Sequence, residues 1–361
     1  MKSHVCLPSL PADQRGAALI IALLIVAAVS GLAIGFSSDF QLSSARAENR
    51  WHGAQAREFL YGGEDFGLFG LANDDDLKVD TYIEEVDPWS QGLPQTPLVE
   101  MGEDSWIAGT IEDAQSRFNI NSLAEKNGGE GNRGGRNQRE RNRGGSTELT
   151  PAQRRFIRLL RCFEDYPVEA STAKEITNAV IDWLDKDSNL SGFGGAEASE
   201  YQEFDPPYRP ANQLMKSASE LRMVKGMSPE LYALVEPYII ALPNTNTNIN
   251  VNTASPVILR TFNVKDDLNP LTELDAQTMV EERGDEGYKS LSEFQQGTIP
   301  QQFSGGQNVM ETEGLSVNSN YFVIHVSAQI SRKRRNLNSL VERSGDKAED
   351  IKVVQRSDNS F

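Results

Sequence analysis

The sequence predicts an α+β protein: a long N-terminal helix that crosses a membrane in its first half, a small antiparallel sheet, and a large all-α unit. Three observations carry this. Residues 17–36, AALIIALLIVAAVSGLAIGF, hold no charge, and at about 1.5 Å per residue they cover roughly 30 Å, the depth of a bilayer's hydrocarbon core. Residues 148–243 contain four stretches with apolar residues at helical spacing. Near the C-terminal end, YFVIHVSAQI at 321–330 has the composition of a strand. It is followed by a basic turn at 331–335 and by Leu337, Leu340 and Val341 of a partner strand.

Lys2 and Arg15 precede the apolar run and a long acidic chain follows it. Positive flanks stay on the cytoplasmic side, so the N-terminus is expected inside and the bulk of the chain outside. An ordinary signal peptide is the competing reading, with Ala-Val-Ser-Gly at 28–31 as its cleavage site. Past the membrane, Phe40, Ala47, Trp51, Ala54 and Phe59 extend a helical spine over 37–72, which Gly62-Gly63 should weaken or end.

Residues 73–110 read as turns and short strands. An edge segment with Val79, Tyr82, Ile83 and Val86 is broken by Pro88, Pro94 and Pro97, and SWIAGTI at 105–111 is strand-like. A repeat follows: FNINSL at 118–123 recurs as INVNTA at 249–254. A short strand whose Asn or Ser/Thr caps a following helix accounts for both copies. Residues 126–147 are glycine-rich, with six basic residues against Glu130 and Glu140, and are expected to form a flexible loop.

In the all-α unit, Thr150-Pro151 starts a helix carrying Phe156, Leu159 and Leu160. Ser171 or Thr172 caps the next, with Ile176, Val180, Ile181 and Leu184 on one face. Two more helices are expected over 214–221 and 229–242, and further helical pieces over 255–300. The tail at 344–361 is polar and is expected to be disordered.

The chain has 35 basic and 52 acidic residues, a net charge of −17. Such a surface repels nucleic-acid phosphates and suits cations, solubility or a basic partner. The cysteines are Cys6 and Cys162, and His4, His52 and His325 are far apart, which argues against a zinc site and a histidine-based active site. No nucleophile elbow, phosphate loop or zinc-protease motif occurs, so no enzyme activity is expected.

One constellation points to chemistry. DWLDKDSN at 182–189 leads into Gly192, Gly194-Gly195-Ala196-Glu197, Glu200-Tyr201 and Asp205. Asp185, Asp187 and Asn189 set oxygen side chains on alternate residues of a glycine-rich loop, and Glu197 follows. Calcium takes six to eight oxygen ligands, mostly carboxylates and carbonyls. The loop is not an EF-hand, because the required glutamate and glycine positions are Ala196 and Leu190. It reads as a looser calcium loop, against the alternative of an acidic solvated turn whose aspartates cap helices.

The chain resembles the minor pseudopilin K family of type II secretion systems. The matching stretches are Arg15-Gly16 with its apolar run, FNINSL, AVIDWLDKDSN, GGAE, YRPANQLMKSASELRMVKGM, INVNTASPVIL, NYFVIHVS and a late LVER. The resemblance implies a pilin-like long helix and small sheet with an α-helical domain inserted. In this chain the pilin-like part would be 73–125 and 244–343, and the insertion 148–243. It implies a leader, 1–16, cut by a prepilin peptidase after Gly16, with methylation of the new amine at Ala17. Losing Lys2, Asp13 and Arg15 would leave a mature charge of −18. The fifth mature residue is Ile21, where most pilins carry glutamate; among pseudopilins that absence marks component K. The resemblance also implies calcium held by Asp185, Asp187, Asn189 and Glu197, with Asp182, Glu200 and Asp205 as further candidates. The implied partners are the I and J minor pseudopilins, the inner membrane, and the secretin or secreted cargo. The implied role is to start and cap the fibre.

A second resemblance is to the helix-hairpin-helix module of exported competence proteins, through INVNTASPVIL and the helix that follows. Its hairpin position reads Asn269-Pro270-Leu271-Thr272-Glu273, with no glycine and an acid where a base is needed. Nucleic acid is therefore not an expected partner.

Overall fold

The computed structural model describes residues 14–74, 77–82, 87–124, 148–284, 286–303, 309–345 and 350–358. The leader up to residue 13, the 126–147 segment and positions 83–86 of the expected edge segment lie outside these. Helix α1, Gln14–Ala72, has 59 residues. Its apolar N-terminal half stands clear of the body, with Leu19 to Phe40 exposed. This helix is long and apolar enough to cross a membrane.

The C-terminal part of α1 lies on a five-stranded antiparallel sheet formed by β1 (Leu93–Pro97), β2 (Trp106–Asp113), β7 (Tyr321–Ile330), β8 (Lys333–Arg343) and β9 (Ile351–Ser357), in that order. Leu60 and Leu71 pack with Trp89, Ile107, Ile111, Ile324 and Val326. Gly62-Gly63 do not end the helix, because Gly63 and Gly67 are where it meets the sheet. A Cβ on Gly63 would lie 2.5 Å from Val326 Cγ1, and one on Gly67 2.8 Å from Ile324 Cγ2. Close helix-to-sheet contact offsets the roughly 1 kcal/mol by which each glycine disfavours a helix.

The tail departs from expectation. Residues 351–357 are not disordered but form β9, paired antiparallel with β8. Ile351 and Val353 pack on the sheet's core, and Arg356 pairs with the buried Glu64 of α1 at 2.9 Å. The segment reads as polar because only alternate positions of an edge strand face the core.

The chain leaves the sheet at Asp113 and returns at Tyr321. The loop joining β7 and β8 points toward the apolar N-terminal half of α1, where Arg335 touches Gly53. The helical unit therefore rises from the opposite end of the sheet, away from that apolar half. It contains α2 (Pro151–Leu160), α3 (Ala170–Leu184), α4 (Ala198–Tyr201), α5 (Pro229–Val235), α6 (Pro256–Leu259), α7 (Glu273–Arg283), α8 (Leu291–Gln295) and α9 (Thr298–Gln302). One apolar core joins Phe118, Phe156, Ile176, Leu221, Leu259, Phe262, Phe294 and Leu315. The insertion is thus wider than 148–243: residues 249–315 share its core instead of the sheet's. The sheet's α1-facing side is already covered, and Ile240 and Leu242 close its other side over Tyr321, Val323 and Leu340, so the amphipathic pieces after 255 have only the helical unit to bury against.

Two expected helices are shorter or different. Residues 218–223 form a 3₁₀ segment, and the helix from Pro229 stops at Val235, just before Pro237. Helix α3 begins after Glu169, ahead of Ser171.

The repeated asparagine motif has one construction in both copies; in the first, Asn119 caps the 3₁₀ segment Ile120–Ala124, and after the second the cap of α6 is Ser255, just past the motif. Strands β3 (Phe118–Asn119) and β5 (Ile249–Asn250) each pair in parallel with another two-residue strand, β4 (Ile239–Ile240) and β6 (Leu315–Ser316) respectively. The first asparagine closes an Asx turn: Asn119 Oδ1 accepts from Asn121 N at 3.1 Å, and Asn250 Oδ1 from Asn252 N at 3.0 Å. The second asparagine ties distant loops, Asn121 to Met215 and Leu242, Asn252 to Tyr288 and Val317.

Where insertion and sheet join, a network of buried charges sits beside a small apolar cluster of Ala114, Ile240, Leu242, Tyr321, Val323 and Leu340. Arg343 of β8 binds Asp74, Asp80 and the Ser319 carbonyl. Asp113 accepts from Asn250, Thr253 and Ser319. Burial pushes Asp80 up from 3.8 to about 7, opposed by Arg343 and reinforced by Asp113. The folded chain then holds a proton that the unfolded chain has already released. Stability is expected to fall as pH rises from about 4 to about 7. Urea midpoints of the full chain in detergent at pH 5 and pH 8 measure this. Asp80→Asn should flatten the dependence, and an unchanged slope in that variant would refute the assignment to Asp80.

Candidate functional site

Helix α3 buries Ala173, Ile176, Val180 and Leu184 in the core, and this delivers Asp182 fully buried at the start of the acidic loop. Its carboxylate does structural work. Asp182 Oδ1 accepts from Ser191 N at 2.8 Å, and Oδ2 from Ala196 N at 2.7 Å. The loop is thereby drawn back on itself. The approach is close enough that a Cβ on Gly195 would lie 2.4 Å from Asp182 Oδ2. Gly194 has φ of 84° and would collide with Glu175, so the Gly194-Gly195 pair is required by both conformation and space.

This closure brings Asp185, Asp187 and Glu197 together, each offering a carboxylate oxygen within 4.8 Å of the others. Glu197 is buried, and no side chain donates to either of its carboxylate oxygens, which lie beside the backbone N–H groups that open α4. Burial raises its pKa, and the charges of Asp182, Asp185 and Asp187 raise it further. Converging carboxylates with an unsatisfied buried member are the arrangement a hard cation stabilises. The aromatic rings of Trp183, Tyr201 and Tyr208 pack behind the loop, with the Trp183 and Tyr201 centroids 5.4 Å apart.

The other candidates have different places. Asn189 is exposed and donates both its backbone N–H and its side-chain amide to Asp187 Oδ1, at 2.9 and 2.8 Å; it orients Asp187. Glu200 lies outside the three-carboxylate group: its Oε2 accepts from Glu197 N and Ser199 Oγ at the start of α4. Asp205 is exposed and also outside the group. Asn212 was not legible from the loop's spacing. Its Nδ2 donates to the Asp187 carbonyl at 3.3 Å, while its buried Oδ1 has no donor, which leaves an oxygen beside the loop. The signal that finds it is tertiary, since it lies on a separate turn with φ of 48°.

A second acidic group, Asp74, Asp80 and Asp87, already has its counter-ion and donors. Arg343 pairs with Asp74 and Asp80, and Asp87 accepts from Thr81 and Trp89. The hairpin region between α6 and α7 is likewise committed inward. Arg158 donates to the carbonyls of Thr261, Val264 and Asp267, and Arg161 to that of Leu268. Cys162 is buried, and its thiol is pushed up to about 12. Gly16 and Ala17 lie on the exposed first turns of α1.

The family model described as "Type II secretion system (T2SS), protein K" matches in two parts, residues 116–244 and 249–318. The type II secretion system protein K of Pectobacterium carotovorum subsp. carotovorum is 32% identical over 349 residues, covering 95% of this chain and 96% of that one. The Aeromonas hydrophila protein of the same description is 30% identical, covering 92% and 94%. Among solved structures, a chain of the GspK-GspI-GspJ complex from the type 2 secretion system of enterotoxigenic Escherichia coli aligns with a TM-score of 0.66. It is 26% identical and covers 86% of this chain and 98% of that one.

Proposed function

The chain belongs to the type II secretion system protein K family and is a minor pseudopilin, and from this we propose that it forms the tip of the pseudopilus together with the minor pseudopilins I and J. The observation that carries the tip position is where the helical unit is attached. It rises from the membrane-distal end of the sheet, between Asp113 and Tyr321, and occupies the space in which a following subunit would stack. A subunit that accepts neighbours beside and below it, but not above, starts and caps a fibre. The likeness to a chain crystallised with GspI and GspJ supports these partners. The work is mechanical and templating, and no catalytic group is needed for it.

In this reading α1 crosses the inner membrane once, with its N-terminus in the cytoplasm and the body in the periplasm. A prepilin peptidase cuts between Gly16 and Ala17, and the new amine is methylated. The exposed side chains of Phe40 and Trp51 belong to the face that neighbouring helices cover. The assembled tip meets the secretin or the cargo. Calcium fits the acidic loop: Asp185, Asp187 and Glu197 would hold it, with the Asn212 side-chain oxygen as a further donor, and the ion would offset the repulsion among the carboxylates.

Intact mass and N-terminal sequence of the protein from its own cells' membranes test the proposal. A chain that starts at Ala17 with one added methyl group is the expected result, and Gly16→Leu should leave the leader attached. A chain starting after Ser30 would refute pseudopilin processing.

A further inference from the structure

The molecule as a whole is acidic, yet one recess has only basic and neutral walls. It opens where α1 passes beneath the turn joining β7 and β8, has a volume of about 530 Å³, and is lined by Arg50 and Arg57 of the helix and by Lys333, Arg334 and Arg335 of β8. No acidic residue lines it. Arg50 and Arg57 fall on one side of the helix with Gly53, where the guanidinium of Arg335 packs against the helix backbone. All five cations are exposed. Among the described residues none of them forms a salt bridge; Arg334 instead covers the ring of Trp106, 5.3 Å from its centroid. Five like charges converging without counter-ions are costly to hold at low salt, and in a chain of net charge −17 they are a local reversal of sign.

Distance decides what kind of anion meets them. The apolar run ends at Phe36, and Gly53 lies 17 residues further along the helix, so about 25 Å above the hydrocarbon edge. Headgroups occupy roughly 5–8 Å of that. The remaining gap is about twice the screening length of roughly 8 Å at physiological ionic strength, which puts lipid phosphates out of reach. The gap is wide enough for a helix, about 10–12 Å across. Resting on the pseudopilin reading above, we infer that this recess is a docking site for an acidic protein surface of a neighbouring membrane-anchored subunit, lodged between the body and the membrane. Its carboxylates pair with Arg50, Arg57, Lys333 and Arg335.

The test places a benzophenone side chain at Asn49, an uncharged residue lining the recess, in the full chain expressed in cells that make the whole secretion apparatus. The expected product is a crosslink to a carboxylate-rich segment of another pseudopilin. Its yield should fall at least tenfold in Lys333→Glu/Arg335→Glu and in Arg50→Gln/Arg57→Gln, in chains whose thermal melting is unchanged. Reversing the partner acids found at the crosslink should restore it. An undiminished crosslink in both variants, or capture of photoactivatable phosphatidylglycerol in place of protein, overturns the inference. If the unmodified chain still co-purifies with I and J when this happens, the tip assignment stands. If co-purification is absent as well, the tip assignment itself has failed.

Discussion

Arg343→Met is expected to destabilise the folded chain by about 3–5 kcal/mol, the usual cost of removing one partner from a buried ion pair. Arg343 is 3% exposed. It holds two buried carboxylates, Asp74 and Asp80, together with the Ser319 carbonyl, and it stacks over Phe322 with 4.6 Å to the ring centroid. Methionine fills part of the volume but leaves the Asp74 carboxylate without a counter-ion and Asp80 without its guanidinium donors. Lysine should rescue poorly, because a point charge cannot bind two carboxylates and a carbonyl through a planar fork. Asp74→Asn added to Arg343→Met should recover part of the loss, since it removes the stranded charge. Urea unfolding of the full chain in detergent, followed by tryptophan fluorescence, reads the effect; Trp89 lies 5.1 Å from the ring of Phe322. A loss below about 1 kcal/mol would show that the network is solvated and carries little of the junction's stability.

Calcium is expected to stabilise the chain by about 2.7 kcal/mol at a hundred times its dissociation constant, and Glu197→Gln should abolish the effect. Glu197 is the sharpest probe because its carboxylate is buried and unsatisfied beside Asp185 and Asp187. Asp185→Asn should weaken binding strongly. Glu200→Gln and Asp205→Asn should change it little, because neither carboxylate reaches the group. The raised pKa of Glu197 sets the pH dependence. Its proton must leave before the ion binds, so affinity drops as pH falls toward the carboxylate range. Isothermal titration of the full chain in detergent at pH 7 and pH 5 measures both effects. No binding heat at millimolar calcium, or equal losses in Glu197→Gln and Glu200→Gln, would remove the proposed site.

The contrast between Glu197 and Glu200 shows how far a linear motif can be read. Alternating oxygens, a glycine pair and a following glutamate made the loop visible. Which acids converge depends on Asp182, whose two backbone bonds fold the loop, and on the cap at α4, which takes Glu200 out of the group. Asn212 could not be found from the motif, because a turn far along the chain brings it there.

The long apolar run, the long helix, the paired strands at 321–343, the family resemblance and the acidic loop were legible in the residues alone. Each of these is written in contiguous residues, as an uncharged stretch, a hydrophobic period or a local motif. The extent of the insertion, the strand at 351–357, the continuation of α1 through Gly62-Gly63, the tie of Arg343 to Asp74 and Asp80, and the basic recess at Gly53 emerge only from the packed fold. These depend on which faces are left to be covered once the elements meet. An edge strand, a glycine in a helix or a buried aspartate is stabilised by a partner distant in sequence, and no local pattern encodes the partner.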